Sequence, residues 1–322
     1  MKLFNAKNLL CAGILMTAVS FNASAQRVKL GHAMPLDHPV HDSLTWFADQ
    51  VSERTSLKVK VYPNLTLGKE EATLQMAQDG TLAFTKIGTG LASAFSPQYK
   101  TLALPYLYNS EADARRILGG PVGDEILQSS EKDGFIGLAF LVSGSRGFYT
   151  KEKVSGPEDV MGLKIRVQSS TIDIDTMKAL GASPVPISSG EVYSAVQQGV
   201  VDGAENNIPT YYSTRLYEVA PYYALDQHSI SPDLLVVSTE VWNGLSEEDQ
   251  KIIRQIAKET LAVHYKYWDA YIEKAKQDIV KQGGEIVDVD VSAFKAKVSG
   301  VYDKFRKEYP DLVPTLDKLQ EK

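Results

Sequence analysis

The sequence predicts an α/β protein with enough chain for two lobes, and three observations carry this. Residues 162–207 hold two strand–helix units in series and the start of a third strand. The chain has 322 residues, more than a single hydrophobic core usually organises. A helical apolar period runs from Ser246 to Gln282. At 1.5 Å per residue that helix would be about 55 Å long, more than the width of one lobe.

The first 25 residues read as a leader outside the fold. Lys2 and Lys7 make a positive start, Leu9–Val19 is apolar, and Ala23-Ser24-Ala25 is a small-residue cleavage site. The apolar stretch is too short to span a bilayer. The only cysteine, Cys11, lies inside it, and the preceding Leu9 and Leu10 argue against a lipid anchor. The mature chain is therefore expected to start at Gln26, to be exported without disulfides and to insert in no membrane. Losing two lysines and no acids takes the formal charge from −6 to −8. An acidic protein of this kind is a poor partner for nucleic acid or for anionic lipid. No internal repeat, low-complexity tract or Pro/Gly/Ser linker divides the chain, so any two lobes must be joined by short strand crossovers.

Arg27–His32 alternates as a first strand. The loop His32–His41 carries three histidines, but no Cys, Asp or Glu follows at metal-ligand spacing, so no metal is expected. His38 is read either as a donor to a ligand or as a cap on its own helix. The helix Val40–Thr55 has one apolar stripe. Leu57–Val61 is a strand, and a helix opening at Leu67–Glu71 ends before Gly80. Glu70 fits the positive end of that helix. Lys86, near the end of the strand Leu82–Ile87, suits an anion or solvent equally. Thr101–Tyr108 is an apolar run broken by Pro105, whose tyrosines either wall a cleft or pack. Helices are predicted over Ser110–Leu118 and Val122–Lys132, and Phe135–Val142 reads as a buried strand. The glycine-flanked Arg146 follows.

In the strand Leu163–Val167, alternation sends Ile165 to one face and Lys164 and Arg166 to the other. Thr171 is the expected cap of the next helix, and Gly181 its stop. Ala182–Pro186 is a strand, Ser189–Gly199 a capped helix, and Val200–Ala204 a strand with Glu205, Asn206 and Asn207 at its carboxyl end, where open α/β sheets bind ligands. Arginine in a strand is a solvated edge residue or a planar fork for a carboxylate. The two asparagines are ligand contacts or turn residues. Tyr211, Tyr212, Tyr217, Tyr222 and Tyr223 suit a sugar site or a hinge cover. Leu234–Ser238, Glu285–Val289 and an amphipathic helical tail complete the chain.

The segments VYPNLTLGKEE, ALPYLY, SGSRGFY, GLKIRV, ALGASPVPI, GEVYSAVQQGVVDGAENN and LLVVSTEVWNGLSEEDQKII, in this order, resemble the DctP-like solute receptors of tripartite ATP-independent periplasmic (TRAP) transporters. The resemblance implies a two-lobed periplasmic binding protein with a cleft between the lobes, hinge strands and a long bracing helix. It divides the chain into lobe I (26–143 and 233–272) and lobe II (144–232 and 273–322), with the helix 246–282 spanning both. It implies periplasmic localisation, TRAP membrane subunits as partners, a small organic acid as ligand and no cofactor. Arg166 is expected to pair the ligand carboxylate. Arg146, Glu70, Gln168, Asn206 and Asn207 are expected to bond the carboxylate or hydroxyls, with His38 as a further candidate.

The double amide GAENN before a Pro and a Tyr pair resembles the branch that binds hexuronates such as glucuronate or galacturonate. A C4-dicarboxylate or 2-oxo acid receptor is the alternative, with Lys86 then a second cation. A different class, an exported sugar-acid lyase or isomerase, would need Asp226 and His228 as an acid/base couple or Glu70 as a base. No nucleotide loop, nucleophile elbow or metal cluster supports it, and the chain is not expected to be an enzyme.

Overall fold

The computed structural model describes residues 26–321, so the proposed leader and Cys11 lie outside the described residues. Eleven strands form two sheets. They are β1 (Gln26–Gly31), β2 (Leu57–Tyr62), β3 (Phe84–Gly88), β4 (Phe135–Leu141), β5 (Arg146–Thr150), β6 (Lys164–Val167), β7 (Ser183–Pro186), β8 (Gly203–Asn206), β9 (Tyr222–Ser229), β10 (Asp233–Ser238) and β11 (Glu285–Val287). The first sheet runs β2-β1-β3-β10-β4 and the second β11-β9-β5-β8-β6-β7. Helices between successive strands make the pairs β1–β2, β1–β3 and β6–β7 parallel. Both faces of β4 are covered, which is why all seven of its residues are buried and apolar alternation is missing.

The chain passes from the first sheet to the second between β4 and β5, and returns between β9 and β10. The first crossing turns on Gly144, whose φ of +72° is one that L side chains rarely adopt. Gly147, on the other side of Arg146, answers a different need: a Cβ there would lie 2.3 Å from the carbonyl oxygen of Ala224 across the β5–β9 pairing. These glycines therefore serve the turn and the strand pairing rather than a ligand's approach to Arg146.

The long helix spans Glu247–Lys281, 35 residues, capped by Ser246 through a bond from the Asp249 N–H. Ile253, Ile256, Ala257 and Trp268 pack with Phe47 and Val51 of the first lobe. Ala275 and Ile279 pack with Tyr211 and Tyr223 of the second. Tyr212 and Tyr217 tie the far end further, donating to Asp278 at 2.9 Å and Gln282 at 3.0 Å. This packing is what holds so long a helix straight across two lobes.

Two expectations are corrected and an open one is decided. Ser170, not Thr171, caps the helix Thr171–Ala179, accepting from the Asp173 N–H. In the run 101–108 the first three residues end the 3₁₀ helix Pro97–Ala103 and the rest is a loop with Tyr108 buried, which agrees with the packing reading. Tyr106 donates to the Asp226 carbonyl at 3.0 Å behind the crossover. Finally, the tail does not dock on the second lobe alone. The helix Ser299–Glu308 lies on Thr171–Ala179 of the second lobe, but Val313–Gln320 lies on Pro121–Gln128 of the first. Leu316 and Leu319 are fully buried in one apolar cluster with Leu127, Phe140 and Ile165. Replacing Leu316 by alanine should cost about 2–5 kcal/mol and lower the calorimetric melting temperature by several degrees; an unchanged melting temperature would contradict this packing.

Candidate functional site

The cavity that both sheets line, called the main cavity below, holds about 570 Å³ of space that opens to solvent. The first lobe contributes Met34, Glu70, Lys86, Gly88 and Asp233; the second contributes Arg146, Arg166, Gln168, Asn206, Asn207 and Thr210. Most of these residues sit at strand ends or at the first turn of a helix, where side chains point out of the sheet without breaking its ladder.

Arg166 projects from β6, a four-residue strand in which Ile165 and Val167 face the core. It is 3 % exposed. Its Nε donates to the Ile187 carbonyl at 2.7 Å, which fixes the side chain after the following strand has turned. Its two terminal amino groups have no hydrogen-bond or ion-pair partner among the described residues, and the side chain lines the cavity. Burial pulls its pKa below the ordinary arginine value, against the smaller opposing influence of Tyr149 and Glu205.

Arg146 is placed differently from its expected role. Its Nε and Nη2 grip both oxygens of Glu205, at 2.5 and 2.9 Å, and Nη2 also donates to the Glu205 carbonyl. Its Nη1 donates to Asn206 Oδ1 at 2.8 Å. Most of its donors are thus committed to protein, and it positions the wall more than it offers a fork. Behind it, His228 Nε2 lies 3.4 Å from Glu205 and Nδ1 lies 2.7 Å from Asp226. Burial would lower the His228 pKa, but Asp226 and Glu205 outweigh it and push it up to about 10. Burial likewise opposes the Glu205 carboxylate, yet Arg146 and His228 together hold it down at about 2. His228 is therefore an imidazolium locked between carboxylates, and neither it nor Asp226 lines the cavity.

On the opposite wall Lys86 is 2 % exposed and lies between Glu70 Oε1 at 2.9 Å and Asp233 Oδ1 at 2.8 Å. Burial favours the neutral amine, but Asp233 and Glu70 outweigh it and raise the pKa well above the ordinary lysine value. Lys86 is neither solvated nor a free cation. Glu70 lines the cavity from the first turn of the helix Glu70–Gln78.

Gln168 crosses the cleft. Its side-chain oxygen lies 2.5 Å from where a Cβ on Gly88 would stand, so the glycine makes room for the amide of the other lobe. The cleft's rim is shut by Lys69 to Glu191 at 2.9 Å and Ser188 to Glu71 at 3.0 Å. These contacts describe a closed form.

The asparagines divide. Asn206 Oδ1 accepts from Arg146 and from the Asn207 N–H, and the residue lines the cavity. Asn207 Oδ1 accepts from the Thr210 N–H at 2.8 Å and caps the helix Ile208–Ser213, although the residue also lines the cavity. His38 is corrected: it does not line the main cavity. Its Nδ1 accepts from the Val40 N–H at 3.2 Å, capping Pro39–Arg54, and its Nε2 lies 3.4 Å from Thr210 Oγ1. The tyrosines of 211–223 pack in the second lobe and do not line the main cavity. Sequence reasoning missed Asp233, which carried no local signal, and read Glu205 as a ligand-side carboxylate, whereas it holds Arg146 and does not line the cavity.

A sheet-built cleft between two lobes, with a buried guanidinium facing it, defines a small-anion receptor. The chain belongs to family 7 of the bacterial extracellular solute-binding proteins, the DctP family, which it matches over residues 30–308. A TRAP periplasmic solute-binding protein from Bradyrhizobium, solved with α/β-D-galacturonate, superposes with a TM-score of 0.89 at 35 % identity, over 92 % of this chain and 100 % of that one. One from Chromohalobacter salexigens, solved with D-glucuronate, gives 0.88 at 34 % identity, over 91 % and 99 %. The 2,3-diketo-L-gulonate-binding periplasmic protein of Escherichia coli is 30 % identical over 320 residues, 97 % of each chain.

The buried imidazolium gives the stability a pH dependence. A group raised from 6.5 to about 10 on folding contributes stability that is complete below pH 6.5 and lost as pH rises through 10. Urea midpoints of the ligand-free protein should therefore fall progressively between pH 7 and 10; a flat series over that window would contradict the charged His228.

Proposed function

We propose that this protein is the periplasmic solute receptor of a TRAP transporter and that its ligand is a hexuronate, galacturonate or glucuronate. The observation that carries the reading is the buried end of Arg166, two amino groups without a protein partner at a cleft whose remaining wall is polar. A carboxylate meets both groups at once in the planar fork geometry. Relatives solved with galacturonate and glucuronate support the choice of acid. Glu70, Gln168, Asn206 and Asn207 bond the ring hydroxyls, and Arg146 holds Asn206 in place.

Closure follows from contacts to both lobes: a ligand bonded to Arg166 on one side and Glu70 on the other binds the closed form better, and shifts the population toward it. The closed form is what the membrane subunits recognise. The leader 1–25 is removed on export, the mature protein stays in the periplasm, and neither nucleic acid nor a cofactor takes part. The family's members are solute-binding receptors, and the Asp226–His228 couple of the enzymatic alternative lies off the cavity. A C4-dicarboxylate is disfavoured because Lys86, the second cation it would need, is already neutralised.

A thermal-shift screen of the mature protein against hexuronates, C4-dicarboxylates, 2-oxo acids and neutral hexoses tests this. A ligand at a hundredfold its Kd adds about 2.7 kcal/mol of stability, a shift of a few degrees or more. Shifts with uronates and none with neutral hexoses are expected; shifts confined to dicarboxylates or oxo acids would overturn the ligand, and no shift with any acid would overturn the receptor assignment.

A further inference from the structure

We infer that the ion-paired triad Glu70–Lys86–Asp233 sets the specificity of the cleft by refusing a second carboxylate, so that the site takes monocarboxylic polyhydroxy acids and rejects the corresponding diacids. The inference rests on the sugar-acid reading above and deepens it.

The argument is one of charge placement. Three cations line the main cavity: Arg146, Arg166 and Lys86. Glu205 takes Arg146 in a two-oxygen grip. Lys86 is held by two carboxylates, at 2.9 and 2.8 Å, so the triad carries a net charge of one minus, and Glu71 of the same lobe adds a further carboxylate to the lining. Arg166, on the second-lobe wall, has no carboxylate within ion-pair distance among the described residues and is the one cation left for an anionic ligand.

The triad is built rather than incidental. Lys86 is on β3 and Asp233 opens the neighbouring antiparallel strand β10, directly after the return crossing between sheets. Ser143, at the outgoing crossing, lies 3.3 Å from the second oxygen of Asp233. Glu70 is fixed at a helix start. Such a wall offers acceptors to hydroxyl groups from Glu70 and Asp233, and a remaining N–H from Lys86. It offers no net positive charge. A ligand anchored by one carboxylate on Arg166 presents its other end here. A hydroxyl end finds acceptors; a carboxylate end meets two carboxylates in a water-poor cleft, where like-charge contact and desolvation add. The relatives solved with galacturonate and glucuronate, and the one named for 2,3-diketo-L-gulonate, all have monocarboxylic acids as those ligands.

The test uses ligands that differ only at that end. Galactonate and galactarate are both open-chain and share stereochemistry, one ending in a hydroxymethyl group and the other in a second carboxylate; galacturonate serves as the reference. Titration calorimetry of the mature protein should give a Kd for galactarate at least ~30-fold weaker than for the better of the two monoacids. Glu70→Gln and Asp233→Asn each remove one negative charge with little change in shape. In either variant, with folding confirmed by its melting temperature, the diacid-to-monoacid Kd ratio should fall ~10-fold or more. Diacid binding within threefold of the monoacid in the wild type overturns the inference without any variant. So does an unchanged ratio in both folded variants. Failure of the wild type to bind any of the three acids would instead defeat the sugar-acid reading on which the inference rests.

Discussion

A buried guanidinium without a counter-charge is the constraint around which this cleft is arranged. Taking a cation out of water is costly unless something replaces the water, and among the described residues Arg166 keeps one protein acceptor, the Ile187 carbonyl. The rest of the site keeps that position open. Glu205 is drawn onto Arg146, and Glu70 and Asp233 onto Lys86, so these three carboxylates already have partners. An anionic ligand supplies what Arg166 lacks. The cost borne in the free protein is thereby converted into affinity and into a preference for the closed arrangement, since only the closed cleft dehydrates the pair.

The same economy explains the two layers of the second lobe's wall. Arg146, Glu205, His228 and Asp226 form a continuous buried network in which nearly every donor meets an acceptor. Asn206 hangs from its front edge by Arg146 Nη1. The network meets the cleft through that amide and through Arg146, whose charge Glu205 offsets. Behind it, β5 and β9 lead into the two crossings, and the long helix passes over both lobes with Trp268 against Gly144 of the outgoing crossing. Site, hinge and brace are therefore one packed unit. A tail helix on each lobe adds apolar contact, so opening parts the rim, where Lys69–Glu191 and Ser188–Glu71 are single contacts, about a hinge at the crossings.

Much of this was legible in the sequence where the physics is local. Alternation in β6 put Arg166 opposite the core face, and a 3.6-residue period gave the long helix to within a residue at each end. What was not legible depends on pairing across long separations. Arg146 and Glu205 are 59 residues apart and meet only because β5 and β8 pair antiparallel in one register. Lys86 meets Asp233 because β3 and β10 are neighbours, although their pairing residues Gly88 and Asp233 are 145 positions apart in the chain. Without those partners, Lys86 and Arg146 read as ligand-binding cations. His38 carries both a cap pattern and a loop-donor pattern in the sequence; in the structure it caps its own helix, packs against Trp268 and stands outside the lining of the cleft.

The most direct test of the account is the affinity of the mature protein for galacturonate before and after Arg166→Ala, measured by titration calorimetry. Loss of a charged hydrogen-bonded pair in a dehydrated cleft should weaken binding by about 1.5–3 kcal/mol or more, roughly ten- to a hundredfold, while the melting temperature without ligand holds or rises because a costly buried charge has gone. A folded Arg166→Ala protein that binds galacturonate as tightly as the wild type would contradict the claim that this guanidinium is the anchor.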